Sequence, residues 1–332
     1  MEAEMSFKAL VVDKNDNDFS IQLRQLEVKD LPAGEVLIKV KYSGVNYKDS
    51  LASIPNGNIV REYPMVPGID LAGIVVSSQH PDFSEGDEVI ATSYEIGVSR
   101  YGGYSEYAQV PAQWVLPLPK GLTLKKAMTI GTAGLTAALS ILKLEQNDLT
   151  ANNGKVLVTG ATGGVGSFAV ALLANRGYEV VASTGKKNER DYLVNLGASS
   201  VITREEVYDG KLSALSKQKW IAAIDPVGGE PLASLLSQIQ YGGAVAVSGL
   251  TAGTNLPTTV FPFILRGVSL LGVDSVFCPM ETREEAWALL AEESDKLPFD
   301  QFIFQEVSLN EVEHALPLLL KGETRGRVLV HI

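Results

Sequence analysis

The chain has 332 residues, 45% of them hydrophobic and 20% charged, with 31 glycines and 15 prolines; this is the composition of a folded protein, not of a disordered or collagen-like one. A formal charge of −11 excludes broad affinity for nucleic acid or an anionic membrane, both of which need basic surface. One cysteine, Cys278, and three scattered histidines, His80, His314 and His331, exclude an intrachain disulfide and a spaced set of zinc ligands, so no metal site is expected.

At roughly 100–200 residues per domain, this length predicts two domains. The start, Met1-Glu2-Ala3-Glu4-Met5, is acidic and lacks the cationic-then-apolar order of a secretory signal, so a cytoplasmic location is expected. Uninterrupted apolar runs such as Phe168 to Ala174 fall short of the roughly 18 residues a membrane span needs, and no span is expected.

From Phe7 to about Leu118 short β-rich runs are broken by Gly, Pro and Asn: Lys8 to Val12, Val36 to Val40, Gly73 to Val76 and Glu88 to Ala91. From about Lys125 the texture changes to alternating helix and strand. The runs Val156-Leu157-Val158, Glu179 to Ala182, Ala222 to Asp225, Ala244 to Val247 and Ser269 to Val273 are nearly continuous in apolar residues. That pattern predicts a parallel sheet buried on both faces. A last strand, Gly326 to Val330, follows an α/β region that is already complete, and is expected to return to the first domain.

The strand Lys155 to Thr159 runs directly into Gly160-Ala161-Thr162-Gly163-Gly164-Val165-Gly166 and then an apolar helix, Ser167 to Ala174. The next strand, from Glu179, closes a βαβ unit, the setting in which such glycines bring backbone N–H groups and a helix N-terminus up to a pyrophosphate. Thr162, Gly163, Gly164 and Val165 are therefore cofactor-binding candidates. NAD sites place a carboxylate at the end of the second strand; here Ser183-Thr184-Gly185-Lys186-Lys187 offers hydroxyls and cations, so NADPH is the expected cofactor. Thr184, Gly185, Lys186 and, further on, Arg204 are the candidates for its 2′-phosphate.

Four further patterns occur in order along nearly the whole chain: Pro64 to Gly73, Glu85-Gly86-Asp87-Glu88-Val89, Gly131 to Ala137, and Gly326-Arg327-Val328. Together with the glycine turn they resemble the medium-chain dehydrogenase/reductase superfamily. The resemblance implies a mixed α/β protein: a β-rich GroES-like catalytic domain over residues 1–125, completed by about 300–332, and a doubly wound parallel Rossmann domain binding NADPH over 126–299. In the zinc-dependent alcohol dehydrogenases of that superfamily a cysteine falls where Asn46 stands and a histidine where Ile69 stands. Both ligands are lost here, and so is the structural zinc lobe.

Within the zinc-free members, Asn46-Tyr47-Lys48-Asp49, Gly68-Ile69-Asp70, Tyr241-Gly242-Gly243 and Leu256 to Gly267 resemble the YhdH/YhfP-type branch of quinone oxidoreductases and acryloyl-CoA reductases. That resemblance implies reduction of an activated alkene, acryloyl-CoA or a related enoyl thioester, with reduction of a quinone as the alternative and NADPH binding without catalysis as a second one. It also implies catalytic roles for Tyr47, Asn46 and Asp49, with Tyr47 contacting nicotinamide or substrate and donating a proton. Thr136, Leu250, Thr251, Leu265 and Val276 match family positions around the cofactor. Asp70 is read as a cleft or turn residue, and Arg325 and Arg327 either as candidates for a cofactor or substrate phosphate or as ordinary surface charge. The implied partners are a small-molecule electron acceptor and a second copy of the chain, paired through strands near Ser269 to Val276.

Overall fold

The computed structural model describes residues 5–15 and 18–332; most of the acidic N-terminal segment considered for targeting, residues 1–4, lies outside the described residues. The first strands are β1 (Ser6–Asn15), β2 (Asp18–Glu27), β3 (Val36–Val45), β4 (Asp70–Ser78), β5 (Glu88–Thr92), β6 (Tyr107–Val110) and β7 (Val115–Pro117). A short helix α1 (Tyr47–Ala52) follows β3, and a long one, α2 (Leu124–Gln146), follows β7. Then come β8 (Lys155–Val158), α3 (Gly164–Asn175), β9 (Glu179–Thr184), β10 (Ser200–Thr203), β11 (Trp220–Asp225), β12 (Ile239–Val247) and β13 (Ser269–Gly272). The last strands are β14 (Ile303–Ser308) and β15 (Arg327–His331).

The chain divides into two compact units, one of Met1–Thr132, Val276–Glu284 and Ile303–Ile332, the other of Ala133–Ser275 and Glu285–Phe302. In the first, β1 and β2 form an antiparallel hairpin. A seven-stranded sheet runs β14-β15-β3-β4-β5-β7, with β6 paired to β3. The terminal strand lies antiparallel to β3, Val328 opposite Val45, and parallel to β14. Alternation along β3 and β4 sends Leu37 and Val45 into one apolar cluster with Phe7, Leu10 and Tyr104, and Ile38, Leu71 and Val75 into another with Val89 and Val110.

The second unit is a six-stranded parallel sheet in the order β10-β9-β8-β11-β12-β13. This is a doubly wound order with its switch point beside β8, the place where such sheets take a ligand at the carboxyl ends of their strands. Val156, Leu157 and Val158 have no exposed surface, as expected for a strand covered on both faces.

Two features depart from the sequence reading. The helix α2 is long and apolar enough by length and composition to cross a membrane, yet 83% of its apolar window is buried inside the protein. Its residues are apolar because they are core, and Gly131, at φ 48° and ψ −157°, interrupts the helix. The segment Val276–Glu284, read as part of the nucleotide-binding half, groups with the first unit. Arg283 is buried there and donates to the carbonyl and hydroxyl oxygens of Thr92 at 3.1 and 2.9 Å and to the Val276 carbonyl at 3.2 Å. A guanidinium is buried only where such acceptors meet it, so these bonds commit the segment to β5.

Candidate active site

The glycine turn is built by close approach. Gly160 adopts φ 53°, and the amide of Gly163 closes the turn onto the Gly160 carbonyl at 2.9 Å. A Cβ at Gly166 would run into the Gly160 carbonyl oxygen and stand 2.6 Å from the Ala161 Cα, so only glycine lets α3 lie this near the turn. Gly163 is the N-cap of the 12-residue α3 and is exposed, with Gly164 and Val165 half-buried behind it. The first N–H groups of α3 have no partner within the helix, and the bare glycines leave an anion room to reach them. The turn fits a dinucleotide pyrophosphate.

At the carboxyl end of β9, the Thr184 hydroxyl accepts from the Lys186 amide at 3.0 Å and faces the Thr162 hydroxyl at 3.3 Å. Both threonines are buried, so their hydroxyls shape the turn. Gly185 is exposed, and the Arg204 side chain lies over it: a Cβ at Gly185 would stand 3.2 Å from the Arg204 Cδ. Partial burial holds the Lys186 amine below its ordinary pKa. Thr184, Gly185, Lys186 and Arg204 are thus brought together at one edge of the sheet.

In the first unit a buried polar cluster surrounds the start of α1. Asn46 and Asp49 form a capping box, the Asn46 amide donating to Asp49 Oδ2 at 2.9 Å. The other Asp49 oxygen accepts from the amides of Ile69 and Gly68 at 2.9 and 3.2 Å. Asn46 Nδ2 donates to Asp70 Oδ2 at 2.8 Å, and its Oδ1 accepts from Arg327 Nη1 at 2.9 Å. Asp70 Oδ2 also accepts from the Thr132 amide at 2.9 Å, just past the break at Gly131, while Asp70 Oδ1 accepts from the Thr132 hydroxyl at 2.5 Å. Ser93, in a left-handed conformation at φ 63°, extends the chain to Thr132 Oγ1 at 2.8 Å.

Arg327 closes this cluster. Its Nε donates to the Thr129 carbonyl at 3.1 Å, its Nη1 also reaches the Val45 carbonyl at 3.2 Å, and its Nη2 pairs with Asp70 at 3.5 Å. The side chain is 3% exposed. The reading of Arg327 as a phosphate ligand is therefore overturned: its guanidinium is enclosed and spent on protein acceptors. Burial pulls its pKa down and Asp70 opposes the fall.

Burial and the neighbouring Asp70 push the Asp49 carboxyl up to about 6. A folded-state pKa above the unfolded one contributes stability that is full below the unfolded value and lost as pH rises through the folded value. Between pH 5 and 7.5, wild-type protein should lose about 1 kcal/mol more stability than Asp49→Asn. Urea midpoints at the two pH values read this, and parallel losses in the two proteins would refute it.

The remaining predicted residues divide between the two units. Tyr47 is the first residue of α1 with 44% of its surface exposed, and Thr136 is buried within α2. Leu250, Thr251 and Leu265 are exposed in the second unit. The Val276 carbonyl accepts from the Tyr94 amide at 3.1 Å in the first.

Comparison with known proteins matches residues 32–120 to the alcohol dehydrogenase GroES-like domain and 164–292 to the zinc-binding dehydrogenase domain. The chain is 60% identical to YhfP of Bacillus subtilis over 98% of its own length and 99% of the relative's, and YhfP carries a quinone oxidoreductase name. The chain belongs to the medium-chain dehydrogenase/reductase family, in its zinc-free quinone oxidoreductase and acrylyl-CoA reductase branch. A solved YhfP structure with NAD bound superposes with a TM-score of 0.96 at 59% identity, over 99% of this chain and 100% of that one. Acrylyl-CoA reductase AcuI of Ruegeria pomeroyi is 46% identical over 98% of this chain and 99% of its own. The yhdH oxidoreductase of Salmonella enterica, in complex with NADP, gives a TM-score of 0.94 at 44% identity, over 98% of this chain and 99% of that one.

The second family domain is described as zinc-binding, and the donor set here does not fit zinc. Asn46 is held between Asp70 and Arg327, Ile69 is hydrocarbon, and the cation in this cluster is a guanidinium. Among the described residues no group of three or more His, Cys, Asp or Glu is placed to hold a metal. Sequence reasoning missed the joint role of Asp70, Thr132 and Arg327. The signal was present in Arg327 itself, a charged residue opening the apolar run Val328-Leu329-Val330 of a strand that buries both faces.

Proposed function

We propose that this protein is an NADPH-dependent reductase of activated alkenes, acting on acryloyl-CoA or a related enoyl thioester. The observation that carries the reading is the edge formed by β9 and β10, where the end of β9, the place an NAD enzyme uses for a ribose-binding carboxylate, holds Thr184, Gly185 and Lys186 with the Arg204 side chain over Gly185. Relatives named acrylyl-CoA reductases support the acceptor. When bound, NADPH supplies the hydride that adds to the β-carbon of the thioester.

The α-carbon then needs a proton, and the exposed Tyr47 hydroxyl is the proposed donor. Asn46 and Asp49 are positioning residues: their capping box sets the start of α1 and so the direction of Tyr47. Thr162 to Val165 receive the pyrophosphate, and Thr184, Gly185, Lys186 and Arg204 the 2′-phosphate. Thr136, Leu250, Thr251, Leu265 and Val276 are proposed for the remaining cofactor contacts. Reduction of a quinone with the same cofactor is the second reading, favoured by the name that YhfP carries.

NADPH oxidation measured with acryloyl-CoA beside a panel of quinones separates the two, and the expected result is a kcat/KM at least tenfold higher for the thioester. Binding of NADPH with no turnover on either panel would refute both. Tyr47→Phe should lower kcat by roughly 10²-fold with little change in KM, the scale of one general acid. Unchanged turnover removes the donor role.

A second copy of this chain is the proposed macromolecular partner. β13 is the edge of its sheet, and Val260, Phe261, Ile264 and Leu265 beside it in sequence are exposed apolar side chains.

A further inference from the structure

The edge proposed for the 2′-phosphate carries a charge that phosphate binding does not explain. β9 and β10 run parallel with Thr184 opposite Thr203, so the residues that follow them, Gly185-Lys186 and Arg204-Glu205, leave the sheet side by side. Thr203 and Glu206 cap each other, the Thr203 amide donating to Glu206 Oε2 at 2.8 Å, which fixes the single turn bearing Arg204 and Glu205. Glu206 is committed to that cap. Glu205 interacts with Thr203 as well, but its strongest contact is with Arg204, whose Nε donates to it at 3.0 Å.

The two side chains are 78% and 62% exposed, so the pair itself contributes little to stability. Its position matters more. Arg204 holds the Glu205 carboxyl below its usual range, which keeps it an anion at neutral pH. A phosphate reaching Arg204 meets that anion a few ångströms away and competes with it for the guanidinium, whereas a ribose hydroxyl carries no charge and meets no such conflict.

We propose that Glu205 is a specificity-determining residue that, by pairing with Arg204, holds down the preference of this protein for NADPH over NADH. The inference rests on the NADPH reading above. It makes the site a mixed one, in which Lys186 and Arg204 attract the phosphate and Glu205 offsets part of that attraction.

The test uses the full chain and two substitutions, Glu205→Gln and Arg204→Ala, each titrated separately with NADPH and NADH by nicotinamide fluorescence at low ionic strength. Glu205→Gln should bind NADPH roughly three- to tenfold more tightly with its NADH Kd unchanged, and the gain should shrink in about 0.5 M salt. Arg204→Ala should lose NADPH affinity. An unchanged or weaker NADPH Kd in Glu205→Gln, with Arg204→Ala still impaired, overturns the proposal and leaves the phosphate site standing. NADPH affinity indifferent to Arg204→Ala overturns the phosphate site and the proposal with it.

Discussion

Arg327→Met should destabilise the protein by about 3–5 kcal/mol, because it leaves the Asp70 carboxylate buried without its cation. Asp70 has no exposed surface, and its remaining donors, Asn46 Nδ2 and the Thr132 amide and hydroxyl, are neutral. The Val45 and Thr129 carbonyls and Asn46 Oδ1 would lose their donor in the same step. For a chain of 332 residues the unfolding midpoint should fall by roughly 4–7 °C, read by thermal melting. Asp70→Asn combined with Arg327→Met removes the charge from both sides and should recover at least a third of the loss, as expected for a coupled buried pair. An Arg327→Met protein that melts within about 1 °C of wild type would refute a contribution of this size.

Gly166→Ala should weaken NADPH binding by roughly tenfold or more and lower stability by about 1–3 kcal/mol, the cost of an extra carbon in a packed site. The added Cβ meets backbone, the Gly160 carbonyl and the Ala161 Cα, and backbone cannot swing aside as a side chain can. The turn and α3 must separate, and the amides that would hold pyrophosphate move with them. Gly163→Ala is the informative contrast. Gly163 has φ −79°, and a Cβ there meets only the Gly160 carbonyl oxygen at 3.4 Å. The fold should be untouched while the new methyl group takes space the phosphate needs, so affinity falls with the melting temperature unchanged. Titration of NADPH fluorescence alongside melting curves gives both quantities, and equal stability losses in the two variants would be inconsistent with this geometry.

The turn was legible in sequence because its chemistry is local: strand, glycines, helix and second strand occupy about 30 consecutive residues, and Gly166 is demanded by backbone only five and six residues before it. That Thr184 to Lys186 and Arg204 would share an edge was legible for a related reason. Thr184 and Arg204 are joined by parallel register, and that register follows from a short βαβ connection. Asp70 and Arg327 are 257 residues apart, and no local pattern ties a carboxylate that begins one strand to a guanidinium that begins another. Gly131 lies among small and apolar residues and threonines that suit a helix on either side, so the break it makes in α2 has no periodic signature; it is required by crowding, since a Cβ there would stand 2.5 Å from Asp70 Oδ2 and 2.6 Å from Arg327 Nη2. Arg283 is a third instance. Its four-residue neighbourhood reads as helix, and the acceptors on Thr92, 191 residues away, join the Val276 carbonyl in giving it a place.

The first unit is discontinuous, and this orders events at the ribosome. Its strand β3 has β15 as a neighbour, so the seven-stranded sheet lacks one of its inner strands until Arg327–His331 has been made. By then all of the second unit has been made, its last residue being Phe302. The half that emerges first is thus the half that matures last, and throughout translation β3 presents open backbone to whatever strand or chaperone is near.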